Sequence, residues 1–158
     1  MTSKSMSTAK ITPAVANALN QACIADKFKL INRLITNIYD EALRPLGITV
    51  SQMNILVVVA KFGEASPNQV VGWLHMEKST LSRNVDRMRK RGWLKATPGN
   101  HGRSHTLRLT AKGDVVLEQG QPLWRKAQKE ARLLLGEQGV KEVVRIARSV
   151  RTEQVDSA

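Results

Sequence analysis

The chain has 158 residues, the size of one domain, and its 42% hydrophobic content suffices for a core. No apolar run approaches the roughly 20 residues of a membrane span, and a single cysteine excludes an internal disulfide and is compatible with a reducing cytoplasm. There are 25 Lys and Arg against 13 Asp and Glu, and residues 49–110 alone hold ten against three, so the basic excess is clustered and points to a polyanionic partner.

In chain order, "MTSKSMSTAK" lacks the apolar stretch of a signal peptide, and residues 1–13 read as a disordered tail. Residues 14–48 are expected to form an N-terminal dimerisation segment. Phe28, Ile31, Ile35, Ile38 and Ala42 recur at three or four spacing and predict one helix from Ala14 to Arg44, closed by Pro45 and Gly47. Leu30 and Leu34 widen the apolar stripe beyond what one neighbour needs, so the helix is expected to pack on its own domain and on a partner chain. Thr49 and Gln52 then make a capping-box pattern. It opens a helix to about Phe62, with Met53, Leu56, Val57 and Ala60 as its expected buried stripe. Ser66, Pro67 and Gln69 repeat the device for a short helix carrying Val70, Val71 and Leu74 and ending near His75.

The next stretch, "EKSTLSRNVDRMRKRGWL", predicts a helix with Leu81, Val85 and Met88 on one face and Ser79, Arg83, Asp86, Arg87 and Lys90 opposite. Gly92 stops it. Alternation in Leu94–Thr97 and again in Thr106–Leu109, around the turn formers of "PGNHGR", predicts a hairpin with a basic tip. Thr110 caps a further helix to about Leu135 that Gly120 and Pro122 can kink. Gly136 and Gly139 interrupt, a last helix runs to about Thr152, and residues 153–158 are a tail.

A short helix, a tight turn, a longer basic helix and a hairpin make a winged helix-turn-helix over residues 49–110, in a mainly α chain with long terminal helices. The second helix of such a pair fits a DNA major groove. Lys78, Ser79, Thr80 and Ser82 lie where a helix N-terminus favours phosphate. Arg83 and Arg87 can place guanidinium forks on guanine or phosphate. On the wing, Arg103 is a long cation suited to the minor groove, with His101 and Lys95 beside it and Arg108 as a phosphate candidate. Ser66 and Asn68 are candidates for the DNA backbone, and Asp86 is expected to pair with Lys90 or Arg83.

From about Ala22 to Leu134 the order and spacing of "ITVSQMNIL", "EKSTLSRNVDRMRKRGWL", a Gly/Arg wing and "LRLTAKG" resemble the MarR family of bacterial transcriptional regulators. The resemblance implies a homodimer joined through its first and last helices, with recognition helices in successive major grooves of a pseudo-palindromic operator and wings in the minor grooves. It also implies release by a small anionic or aromatic effector, whose pocket is expected among Phe28, Tyr39, Met53 and the fifth helix. The family wing carries Asp-x-Arg where this chain reads His101-Gly102-Arg103, so the Arg is kept and its orienting carboxylate is lost. Trp73 and His75 replace a polar residue and a frequent Gly.

Some relatives in that family sense peroxide through a first-helix Cys tuned by Tyr hydroxyls. Cys23 has Gln21, Ala22, Ile24 and Phe28 around it instead and is expected to be a buried structural thiol. His75, His101 and His105 lack companion ligands, so no metal site is expected, and no phosphate loop, HExxH or G-x-S-x-G motif suggests an enzyme. The expectation is therefore a cytoplasmic, cofactor-free, double-stranded-DNA-binding repressor that acts as a homodimer without a membrane. The alternative is a non-sequence-specific architectural DNA-binding protein.

Overall fold

The computed structural model describes residues 11–98 and 105–155. They fall into two compact units that divide between Ile35 and Thr36.

In the N-terminal unit, Thr12 caps α1 (Pro13–Ala22), its hydroxyl accepting from Val15 N at 3.4 Å, with Pro13 at the first helical position. The backbone turns extended at Cys23 (φ −70°, ψ 106°), and α2 (Ile24–Leu43) begins one residue later. The single helix expected from Ala14 to Arg44 is thus two. Leu19 and Ile24 are five apart, one more than the helical repeat, and the break absorbs that slip. Lys27 Nζ donates to the Asn20 carbonyl at 3.0 Å, occupying one of the orphan acceptors at the end of α1. Cys23 is exposed, not the buried thiol expected, because it sits at that break and not on a packed face.

The larger unit starts with the end of α2, where Tyr39 and Leu43 are buried. A 3-10 turn, Arg44–Leu46, ends on Gly47 in the left-handed region. The Thr49–Gln52 capping box opens α3 (Val50–Phe62), and Asp40 Oδ1 accepts the Val50 amide at 2.7 Å, joining the end of α2 to the start of α3. α3 buries Met53, Ile55, Leu56, Val58 and Val59. Val57 and Ala60, expected inside, are exposed. Residues 55–60 are apolar all round, so periodicity could not select the face. α3 packs on α4, the wing and the last helix.

The Ser66–Gln69 capping box opens α4 (Pro67–Leu74), which ends on His75 in the left-handed conformation (φ 49°, ψ 43°). This is the backbone state that makes glycine common at such a stop. α5 (Lys78–Lys90) buries Leu81 and Met88 and leads to β1 (Leu94–Pro98), antiparallel to β2 (His105–Leu109) with Leu94 opposite Leu109 and Ala96 opposite Leu107. Ala65 exchanges both backbone bonds with Leu107, adding a third short edge to the hairpin. Buried side chains of α3, α4, α5 and both strands, with Trp93, make one core.

Thr110 Oγ1 accepts Gly113 N at 3.1 Å and starts α6 (Ala111–Val155). Helical geometry fails inside α6 only at Gly136 (φ 68°, ψ 166°). Gly139 does not interrupt it as expected, and Pro122 lies within it. Among the described residues no single helix is long and apolar enough to cross a membrane.

Candidate nucleic-acid interface

α5 is held by its apolar side and leaves its polar side open. Leu81 and Met88 are 3% and 0% exposed and Val85 is half-buried, whereas Lys78, Ser79, Thr80, Ser82, Arg83 and Arg87 are all exposed. The outward placement expected from 100° per residue holds for Ser79, Arg83 and Arg87, and for Asp86 and Lys90, which are exposed as well. Glu77 precedes the helix without a side-chain cap, so no carboxylate closes its first amides. Among the described residues, no ion pair engages Lys78, Arg83 or Arg87. Asp86 is exposed, and the pair expected with Lys90 or Arg83 does not form among the described residues.

Asn68, Lys78 and Ser82 come together around one hollow of about 250 Å³ between α4, α5 and the wing, with Val71, Leu81 and Leu107 as its apolar floor. Ser66 does not line this hollow; its hydroxyl accepts Gln69 N at 3.2 Å in the capping box. Lys95 is exposed on β1 and shares a shallow groove with Asp86, Arg89 and Lys90. Its cross-strand partner Arg108 is committed to Glu64, which accepts both its Nε and an Nη. Arg108 thus fastens β2 to the turn before α4, a role its position in the sequence did not disclose. The wing residues His101 and Arg103 lie outside the described residues.

A second opening, about 610 Å³, lies between α3 and α6 and is lined by Met53, Asn54, Val57, Leu117, Trp124 and Arg125, among others. Of the three residues expected at a pocket, Met53 lines it. Tyr39 stands back from it. Its ring packs 6.4 Å from Trp124, its hydroxyl donates to Gln128 Oε1, and burial pushes the phenol above its ordinary range. Phe28 is exposed on α2 in the N-terminal unit. Trp124 and Arg125 were missed; an aromatic next to a cation on the helix after the wing was the available signal. Trp73 is exposed and packs edge-on to Phe62 at 5.5 Å, with Lys61 Nζ 3.9 Å above its ring. Among the described residues, no group of three His, Cys, Asp or Glu could hold a metal ion.

The order α4–turn–α5–hairpin, with the apolar side of α5 on the core and its basic side outward, defines a winged helix-turn-helix protein. The model of the MarR family matches residues 46–104, the span of the winged lobe. An uncharacterised HTH-type transcriptional regulator of Bacillus subtilis, YwoH, is 26% identical over 87 residues, 55% of this chain and 64% of that protein. The multiple antibiotic resistance protein MarR of Escherichia coli is 28% identical over 91 residues, 57% of this chain and 63% of its own. The similarity thus spans under two thirds of either relative. The Mycobacterium tuberculosis transcriptional regulator MOSR, solved in complex with DNA, has the same fold at a TM-score of 0.71 and 27% identity, over 82% of this chain and 97% of that one.

Proposed function

We propose that this chain is a transcriptional regulator that binds a pseudo-palindromic double-stranded DNA operator as a cytoplasmic homodimer, acts as a repressor, and is released by a small molecule. The observation that carries the reading is α5: Ser79, Thr80, Ser82, Arg83 and Arg87 are exposed on a helix anchored through Leu81 and Met88. Short hydroxyls and guanidinium forks are the chemistry of base-edge and phosphate recognition. The DNA-bound MOSR fold supports it. A homodimer is supported by apolar side chains left exposed at both ends of the chain, among them Leu19, Phe28, Ile31, Val143, Val144 and Ile146.

The test is a specificity ratio. A duplex selected from random sequence by the protein is expected to bind at least about 10³-fold tighter than unselected DNA at physiological salt. Equal affinity for both would leave only an architectural, sequence-blind protein.

The effector reading rests on the opening between α3 and α6. Trp124 and Val57 offer an apolar wall and Arg125 a cation, which suits a small aromatic carboxylate carrying a single negative charge, since Glu118 also lines the opening and repels a second one. Benzoate at ten times its dissociation constant is expected to stabilise the protein by about 1.4 kcal/mol, read as a rise in melting temperature that Trp124→Ala abolishes. A rise that survives Trp124→Ala would put the ligand elsewhere.

A further inference from the structure

Arg91 belongs to the basic run Arg89-Lys90-Arg91 at the end of α5, where a sequence reading assigns all three to phosphate or to the helix dipole. The structure separates Arg91 from the other two. Its Nη1 donates to the Gly47 carbonyl at 3.0 Å, across 44 residues of chain. Its guanidinium carbon stands 5.0 Å from the centre of the Trp93 ring, which is itself 4% exposed. Arg91 is exposed, but a guanidinium that lies over a buried indole and donates to a carbonyl has its direction set by both.

Its partner is as particular. Gly47 closes the 3-10 turn between α2 and α3 at φ 63°, and a Cβ there would stand 2.8 Å from Arg91 Nη1. A side chain at position 47 would therefore be strained and would also push the guanidinium off the carbonyl. On the other side of the same turn, Asp40 accepts the first amide of α3. At the far end of the strap, Arg91 is the C-terminal cap of α5, its own amide donating to Arg87 O at 3.1 Å. One side chain thus ties the end of the proposed recognition helix to the turn through which α2 enters the DNA-binding lobe.

The geometry points to Arg91 as a positioning residue, which sets the angle of α5 from the Gly47 turn and makes no DNA contact. The inference rests on the DNA-binding reading. A shift of α2 reaches α5 through this strap, so the spacing of two recognition helices in a dimer depends on it. A phosphate ligand, by contrast, contributes one released counterion and no spacing preference.

The experiment compares wild type, Arg91→Ala, Arg91→Lys and Lys78→Ala on three duplexes: the one selected from random sequence, and the same duplex with its half-sites one base pair closer or further apart. Arg91→Ala is expected to weaken binding to the selected duplex about five-fold, leave the slope of log affinity against log salt unchanged, and reduce discrimination among the three spacings. Arg91→Lys, which keeps the charge and a donor group but loses the planar fork, restores part of the discrimination. A slope lowered by about one with spacing preference intact would make Arg91 a phosphate ligand and overturn the proposal, as would unchanged affinity. A wild type that selects no sequence would instead sink the regulator reading. In that case the strap is still judged by thermal unfolding of Gly47→Ala, Arg91→Ala and the double variant. Melting-temperature losses smaller than additive uphold the contact, and strictly additive losses refute it.

Discussion

Gly113→Ala is expected to lower the melting temperature by roughly 6–12 °C at fixed protein concentration, corresponding to a loss of about 3 kcal/mol, the upper part of the range for overpacking. A Cβ at position 113 would lie 2.2 Å from the Trp93 carbonyl oxygen and 3.0 Å from Leu109 Cδ2. The carbonyl cannot swing aside, because it accepts the Thr110 amide at 3.1 Å and its residue is pinned by Trp93 N donating to Met88 O at 2.9 Å. Either α6 must move off the wing, or the end of α5 must be repacked. Operator binding should fall with the structure, since Trp93 and Met88 support α5. Gly139→Ala is the matched control: its Cβ would meet only Leu135 Cβ at an ordinary 3.4 Å, in the first turn after the Gly136 break, so the melting temperature should stay near wild type. Equal melting temperatures for wild type and Gly113→Ala would mean that α6 and the hairpin are not in the contact described.

Arg83→Ala is expected to cost about 1–3 kcal/mol of operator affinity, or about 5- to 150-fold, and to relax preference at one base pair of each half-site. Arg83 is exposed one turn beyond Ser79 and one before Arg87, with no ion pair among the described residues, so no fold contact is lost with it. Melting temperature should therefore stay near wild type. Lys78→Ala, at the first turn, should weaken all sequences alike and lower the salt slope by about one. Competition binding of single-base-pair variants of the selected duplex reads the difference. Unchanged affinity and unchanged preference in Arg83→Ala would remove this side chain from base recognition.

Much of this architecture is legible from local signals. Thr49/Gln52 and Ser66/Gln69 mark two helix starts that the structure confirms bond by bond. Leu81, Val85 and Met88 select the buried side of α5 because that helix is polar elsewhere, so its period is unambiguous. The same method fails on α3, whose apolar residues surround the axis, and on the first helix, where a one-residue break at Cys23 leaves most of the spacing intact. The motif "LRLTAKG" could be matched as a pattern, but its glycine acquires a reason only when the Trp93 carbonyl is seen against it.

What the sequence alone determined is therefore the order of elements, the helix starts and the outward basic side of α5, because these depend on neighbours within a few residues. Only the tertiary structure decided which cations are spent on the fold. Arg108 is held by Glu64 and Arg91 by Gly47, each across 44 residues, while Arg83 and Arg87 remain exposed on α5. All four are arginines in the same basic third of the chain, and composition cannot tell them apart. A long-range partner sets each one's role, and partners that far apart in the chain meet only once it has folded.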